Sequence, residues 1–166
     1  MTKETYIQMT QPFREHLGMA KGIHMANKIC TMSMYVSYPL LVCYLFLNQD
    51  KNALAALLVP AIGFVTLTLF RACINRPRPY ETFATPPVIP KDTRGKSFPS
   101  RHVFSAMVIA MTFLLVSPWQ LIGILFIILT VLLGVVRVLS GVHYISDVVA
   151  GAAYALVVAV IGYIVI

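Results

Sequence analysis

The stretch WQLIGILFIILTVLLGVVRV, residues 119–138, carries a single charged side chain, Arg137, close to its end. A helix rises about 1.5 Å per residue, so roughly twenty residues cross the ~30 Å hydrocarbon core of a bilayer. The run does not alternate apolar and polar residues as a barrel strand does. Four more apolar runs flank it: Ile29–Leu47, Ala53–Phe70, Val103–Val116 and Ile145–Ile166. The run Val103–Val116 is short, and its helix is expected to extend both ways, from near Ser100 to beyond Pro118. Lipid offers no partner to an unpaired backbone group, so only helices or closed barrels span it. The predicted fold is therefore all-α, a polytopic membrane helix bundle of about five transmembrane helices. Composition agrees, since 58% of the 166 residues are hydrophobic and 11% charged, against about 25% charged in a soluble domain.

Ahead of these runs, residues 4–28 set Tyr6, Met9, Phe13, Leu17 and Ala20 on one helical face, with Arg14, Glu15 and Lys21 towards the other. That pattern predicts an amphipathic helix lying in the membrane interface. The expected organisation is an interfacial helix over 1–28 and a membrane domain carrying the chemistry over 29–166. No cleavable signal peptide is expected, because residues 1–28 hold no unbroken apolar core. Cys30, Cys43 and Cys73 lack metal-ligand spacing and read as packing residues. The formal charge of +7 comes from basic residues at the ends of apolar runs. Such placement suits lipid head groups or a phosphate site and implies no nucleic-acid partner. Asn48–Asn52 and Ser117–Pro118 are economical turns, whereas Cys73–Pro99 is long; a long irregular loop beside short ones tends to carry function.

Ionisable groups at the edge of a membrane are costly and mark function. Here they form three clusters: Arg71 to Pro79, Phe98 to His102, and Arg137 to Asp147. An odd number of crossings between them brings all three to one side of the bilayer. Arg71, Arg78 and Arg137 offer planar forks of donors suited to phosphate oxygens. Ser100 opens a helix whose first amides make an anion site. His143 and Asp147, four apart, share a helical face, so the carboxylate fixes the ring tautomer and frees the other nitrogen as a nucleophile. His102 supplies a proton to a departing oxygen. These are the parts that phosphoryl transfer needs. A metal-dependent phosphatase calls instead for clustered carboxylates, and of the six acidic residues only Asp147 falls within an apolar run. No metal and no cofactor are expected. Arg76, Arg94 and Lys96 read as interfacial anchors or weak head-group contacts, Tyr80, Tyr144 and Trp119 as an aromatic belt, and Gly151 with Ala155 as a helix-packing pair.

Taken together, the clusters resemble the type-2 phosphatidic acid phosphatase family, the membrane branch of a superfamily shared with the vanadium haloperoxidases. Its pattern is KxxxxxxRP, PSGH and SRxxxxxHxxxD. This chain has Arg71, six residues and Arg78-Pro79; then Pro99-Ser100-Arg101-His102; then Val136-Arg137, five residues, His143, three residues and Asp147. Arg71 replaces the lysine, Arg101 the glycine and Val136 the serine. The resemblance implies a metal-independent lipid phosphatase acting through a phosphohistidine. His143 would be the nucleophile, His102 the acid and then the base, and Asp147 the orienting carboxylate. Arg71, Arg78, Ser100 and Arg137 would hold phosphate, with Arg101 beside them. The substrate expected is a lipid phosphate, with undecaprenyl diphosphate favoured because Arg101 and Arg76 are available for a second phosphate. The alternatives are a phosphatidylglycerophosphate or phosphatidate phosphatase, or a lipid phosphotransferase. The resemblance also implies a bacterial plasma membrane and an outward-facing site, although every Lys and Arg except Lys51 falls on the site's side, which the positive-inside rule would place in the cytoplasm. The sequence sets no oligomeric state.

Overall fold

A computed structural model describes residues 1–165 and is helical between short connections, from α1 (Lys3–Glu15) and α2 (Leu17–Leu47) through α3 (Ala53–Ile74), the single turn α4 (Pro79–Thr82), α5 (Arg101–Val116), α6 (Gln120–Leu139) and α7 (Ile145–Val165). Four segments are long and apolar enough to cross a membrane: Leu17–Leu47, Ala53–Thr82, Gln120–Leu139 and Ile145–Val165. Their outer faces are what lipid requires. Leu40, Leu69, Ile128, Val149 and Ile161 are each more than half exposed, and in a bilayer apolar exposure on this scale is solvation by acyl chains. The chain is an integral membrane protein, and the all-α bundle expected from the sequence is observed.

The remaining apolar helix, α5, has 16 residues, about 24 Å at the usual rise. Every residue from Val103 to Phe113 is buried, so α5 is the axis around which the others pack. It touches lipid little and has less need to match bilayer thickness. On one flank Ala106, Ile109 and Phe113 meet Leu41 and Leu45 of α2 and Phe126 and Leu133 of α6. On the other, Phe104 and Met107 meet Leu67 of α3 and Ala155 and Ala159 of α7. Two expectations need correction. First, α5 does not continue past Pro118: Ser117 is extended at ψ 155°, because a following proline disfavours helical backbone. Its hydroxyl donates to the Phe113 carbonyl at 2.8 Å and accepts from the Trp119 N–H at 3.0 Å, closing the turn.

Second, the amphipathic helix over 4–28 is not continuous. It breaks at His16, extended at φ −107° and ψ 108°, and residues from Leu17 onward belong to the 31-residue α2. The two faces explain the break. α1 buries Tyr6 and Thr10, with Tyr6 reaching Gly141 in the α6–α7 turn, whereas α2 buries Met34, Leu41 and Leu45 against the bundle. One straight helix cannot serve both directions. Ile166, the end of the last apolar run, lies outside the described residues. All three polar clusters meet at one end of the bundle, around the end of α3, the start of α5 and the α6–α7 turn.

Candidate active site

The α6–α7 turn is built to hold one imidazole. Gly141 takes φ +75°, left-handed backbone that favours glycine, and a Cβ there would lie 2.5 Å from the Tyr6 hydroxyl. That hydroxyl donates to the carbonyls of Thr85 and Gly141 at 3.2 and 3.4 Å, so α1 clamps the turn from above. His143 follows, 1% exposed. Its Nδ1 is 3.4 Å from Asp147 Oδ2, and its Nε2 is 3.4 Å from Arg78 Nη1. Arg78 can only donate, which makes Nε2 the acceptor and places the ring proton on Nδ1, facing the carboxylate. Burial lowers the His143 pKa, and the Asp147 hydrogen bond pulls it back up. The neutral ring is thereby favoured.

Asp147 is fully buried and serves more than the histidine. Its Oδ2 also accepts from the Ser97 hydroxyl and from the Tyr144 N–H at 3.0 Å. Its Oδ1 accepts from Arg76 Nη1 at 2.9 Å. The Asp147 carbonyl accepts the Ser100 N–H at 2.8 Å, which docks the start of α5 onto the start of α7. Gly151 permits that approach, since a Cβ on it would lie 2.6 Å from the Ser100 carbonyl oxygen.

The arginines converge with different amounts of their donor capacity in use. Arg71 gives both terminal nitrogens to the loop, Nη1 to the Ser97 and Pro99 carbonyls and Nη2 to that of Lys96, so it pins the strand of chain that leads into α5. Arg78 donates through Nε to the Gly95 carbonyl and through Nη1 to that of Val142, both at 3.1 Å. Glu81 fixes the same Gly95 by accepting its N–H at 2.8 Å. Arg137, 3% exposed, donates through Nη1 to Asn27 Oδ1 at 3.1 Å. Among the described residues its Nε and Nη2, and the Ser100 hydroxyl, are buried without a partner. Among the described residues none of Arg71, Arg78 and Arg137 pairs with a carboxylate, and the ion pairs found are those of Arg76 and His143 with Asp147. Three buried cations beside one shared carboxylate make a site that an anion completes.

The sequence model of the PAP2 superfamily matches residues 52–166. The chain belongs to the PAP2 superfamily. As a member of that family it is a membrane phosphatase, as its motifs imply. Among curated proteins no match is found. The fold of this PAP2 protein is similar to that of LpxE from Aquifex aeolicus, with a TM-score of 0.73 and 22% identity over 96% of this chain and 93% of that one. It is also similar to the PAP2-type phosphatidylglycerolphosphate phosphatase of Bacillus subtilis, at 0.71 and 20% over 96% and 83%.

Of the residues singled out from sequence, His143, Asp147, Arg78, Arg137 and Ser100 come together, with Arg71 behind the loop and the half-buried His102 in the first turn of α5. Arg101 does not join them. It is exposed, and its guanidinium lies 5.5 Å from the centroid of the Phe64 ring, because one residue from His102 on a helix turns a side chain to another face. Sequence reasoning misses Ser97, Asn27 and Tyr6, and it reads Arg76 as an interfacial anchor, a weak head-group contact or a cation for a second phosphate, where the structure joins it to Asp147. Beside the site an apolar groove of about 600 Å³ opens between α5, α6 and α7, lined by Val103, Met107, Gly134, Val138, Ile145 and Val149 among others. Val103 and Val138 of its lining adjoin His102 and Arg137 in the chain.

Proposed function

We propose that the protein is a lipid phosphatase that works through a phosphohistidine on His143. The observation that carries this reading is the set of idle buried donors, Ser100 Oγ and Arg137 Nε and Nη2. Leaving such groups unsatisfied costs about 1–3 kcal/mol each, and a phosphoryl group satisfies all of them. With the Nδ1 proton directed at Asp147, the Nε2 lone pair attacks phosphorus, the P–O bond to the lipid alcohol breaks, and His102 protonates the departing oxygen. Water then attacks the phosphohistidine and gives its proton to His102. The P–N bond breaks and inorganic phosphate leaves. Arg78, Arg137 and Ser100 hold the charge that develops, and Arg71 adds its charge while fixing the loop behind the phosphate. The donor set is arginine, serine and histidine, and no metal enters any step.

The groove beside His102 and Arg137 accepts the substrate's hydrocarbon chain, so the lipid reaches the site from within the bilayer. A phosphomonoester of a glycerolipid fits better than a prenyl diphosphate. Arg76 and Arg101, the cations available from sequence for a second phosphate, are engaged with Asp147 and Phe64. The B. subtilis protein of similar fold is described as a phosphatidylglycerolphosphate phosphatase, which supports the same choice. One observation favours the diphosphate. Lys91 is half-buried, and its pKa is lowered by burial and then by Arg137 and Arg78, so a further cation stands in the field of the site. The outward orientation of the family's bacterial members is inferred for this chain as well.

Phosphate release from phosphatidylglycerophosphate, phosphatidate and undecaprenyl diphosphate, with EDTA present, tests the reading. The glycerolipid monoesters are expected to turn over fastest and without metal. Turnover of the diphosphate alone, or activity that EDTA abolishes and magnesium restores, would reject it. Phosphate that appears on an added alcohol rather than in solution would make the protein a phosphotransferase.

A further inference from the structure

We propose that Arg76 is a positioning residue for the reaction, acting on His143 through the Asp147 carboxylate rather than on the substrate. Its Nη1 donates to Asp147 Oδ1 and to Ser146 Oγ, both at 2.9 Å. Its guanidinium carbon lies 4.2 Å from the Tyr144 ring centroid and 5.9 Å from that of Phe98. The side chain is therefore held on both segments that frame the site, the turn carrying His143 and the loop leading to Ser100. The ion pair joins a group that is 35% exposed to one that is 0% exposed, so Arg76 brings a partly solvated cation to a carboxylate the protein has removed from water.

The consequence lies in how one negative charge is divided. Asp147 accepts from Arg76, Ser97, the Tyr144 N–H and His143, and the bond to His143 Nδ1, at 3.4 Å, is the longest of the four. A carboxylate shared in this way orients the imidazole while attracting its second proton less strongly. The groups facing His143 from the surrounding elements are Arg78 from the loop after α3, Arg137 from α6, Asp147 from α7 and His102 from α5. Arg76 tips this balance further towards the neutral ring, the form that attacks phosphorus. Without its charge, Asp147 acts on His143 undivided, the imidazole binds a proton more tightly, and activity requires a higher pH. His143 must lose a proton to react, so raising its pKa moves the acid limb of the rate profile upward.

The proposal rests on His143 as the nucleophile, and the experiment separates the two. The full-length protein is assayed in detergent on the lipid phosphomonoester it hydrolyses, as wild type, Arg76→Gln, Arg76→Lys and His143→Ala. Arg76→Gln, which keeps a donor and loses the charge, is expected to lower kcat about tenfold and to move the acid limb of kcat/KM up by about one pH unit, with KM within about twofold. Arg76→Lys is expected to return the limb to its wild-type position. Arg76→Cys, made after Cys30, Cys43 and Cys73 are replaced by alanine, provides a comparison on one variant: an aminoethyl methanethiosulfonate adduct restores the limb and a methyl adduct does not. A limb that stays in place in Arg76→Gln, a loss carried by KM, or equal rescue by both adducts overturns the Arg76 assignment while His143→Ala remains inactive. An active His143→Ala overturns the nucleophile itself, and the dependent proposal with it.

Discussion

The two histidines differ in what surrounds them, and the proposed mechanism gives each separate work. His143 is sealed between Asp147 and Arg78, whereas His102 is half-buried at the head of α5. His143→Ala is expected to abolish both turnover and acid-labile ³²P on the protein. His102→Ala is expected to slow hydrolysis of a lipid alkoxide by about 10²–10⁴-fold, the usual worth of general acid–base help, and to slow p-nitrophenyl phosphate much less, because that leaving group needs no proton. Label trapped in His143→Ala but never in His102→Ala would exchange the two roles. The convergence of His143, Asp147, Arg78, Arg137 and Ser100 was legible in the sequence because its members are neighbours on a helix, as with His143 and Asp147, or stand at fixed spacing within a motif. The residues that were missed have no such signal. Arg76 and Asp147 are 71 apart in the chain, Ser97 and Asp147 50, Asn27 and Arg137 110, Tyr6 and Gly141 135. A serine, an asparagine or a tyrosine whose partner is that distant looks in the sequence like any polar residue at a helix end. Arg101 failed in the opposite direction: its place in a motif said nothing about the face it would take.

At the scale of helices, apolar length located every span, but it could not locate the breaks. The end of α5 is set by the proline after Ser117, and the break at His16 by the two directions in which α1 and α2 bury their faces. Neither depends on hydropathy. Packing between α5 and α7 is where an element-level change reaches the chemistry. Gly151 reads from the sequence as a helix-packing residue, and in the structure it lies under the Ser100 backbone, whose own N–H is bound to the Asp147 carbonyl. A methyl group there meets backbone rather than a movable side chain. Gly151→Ala is therefore expected to cost about 1–3 kcal/mol of stability, the range for overpacking, and to lower kcat more than the loss of folded protein accounts for, because Ser100 and His102 both ride on that end of α5. Thermal melting in detergent alongside the rate per folded molecule checks it. A variant as active per folded molecule as wild type would mean that the contact is structural only.

The molecule as a whole depends on α5 crossing the bilayer, although its 16 residues amount to about 24 Å against a hydrocarbon core of ~30 Å. If α5 turned back within the membrane, the α5–α6 connection would return to the side of the site, and α6 could not bring Arg137 to it from the opposite face. Burial is what makes so short a crossing physically possible. The helix is sheathed by its neighbours from Val103 to Phe113, so its ends can be recessed, with Ser117 closing the backbone where the helix stops short. A set of single cysteines tests this, introduced after Cys30, Cys43 and Cys73 are replaced by alanine, at Lys51, Thr93 and Gln120, all exposed in the structure. An impermeant maleimide is expected to reach Lys51→Cys and Gln120→Cys from one side of the membrane and Thr93→Cys from the other. In intact cells Thr93→Cys is the position labelled if the site faces outward. Labelling of Lys51→Cys instead would put the site in the cytoplasm, as the excess of Lys and Arg on its side favours. Buried Arg71, Arg78 and Arg137 are withdrawn into the site, which leaves fewer of those charges at the surface to set orientation. Gln120→Cys labelled from the same side as Thr93→Cys would show that α5 does not span, and the single-ended site would have to be abandoned.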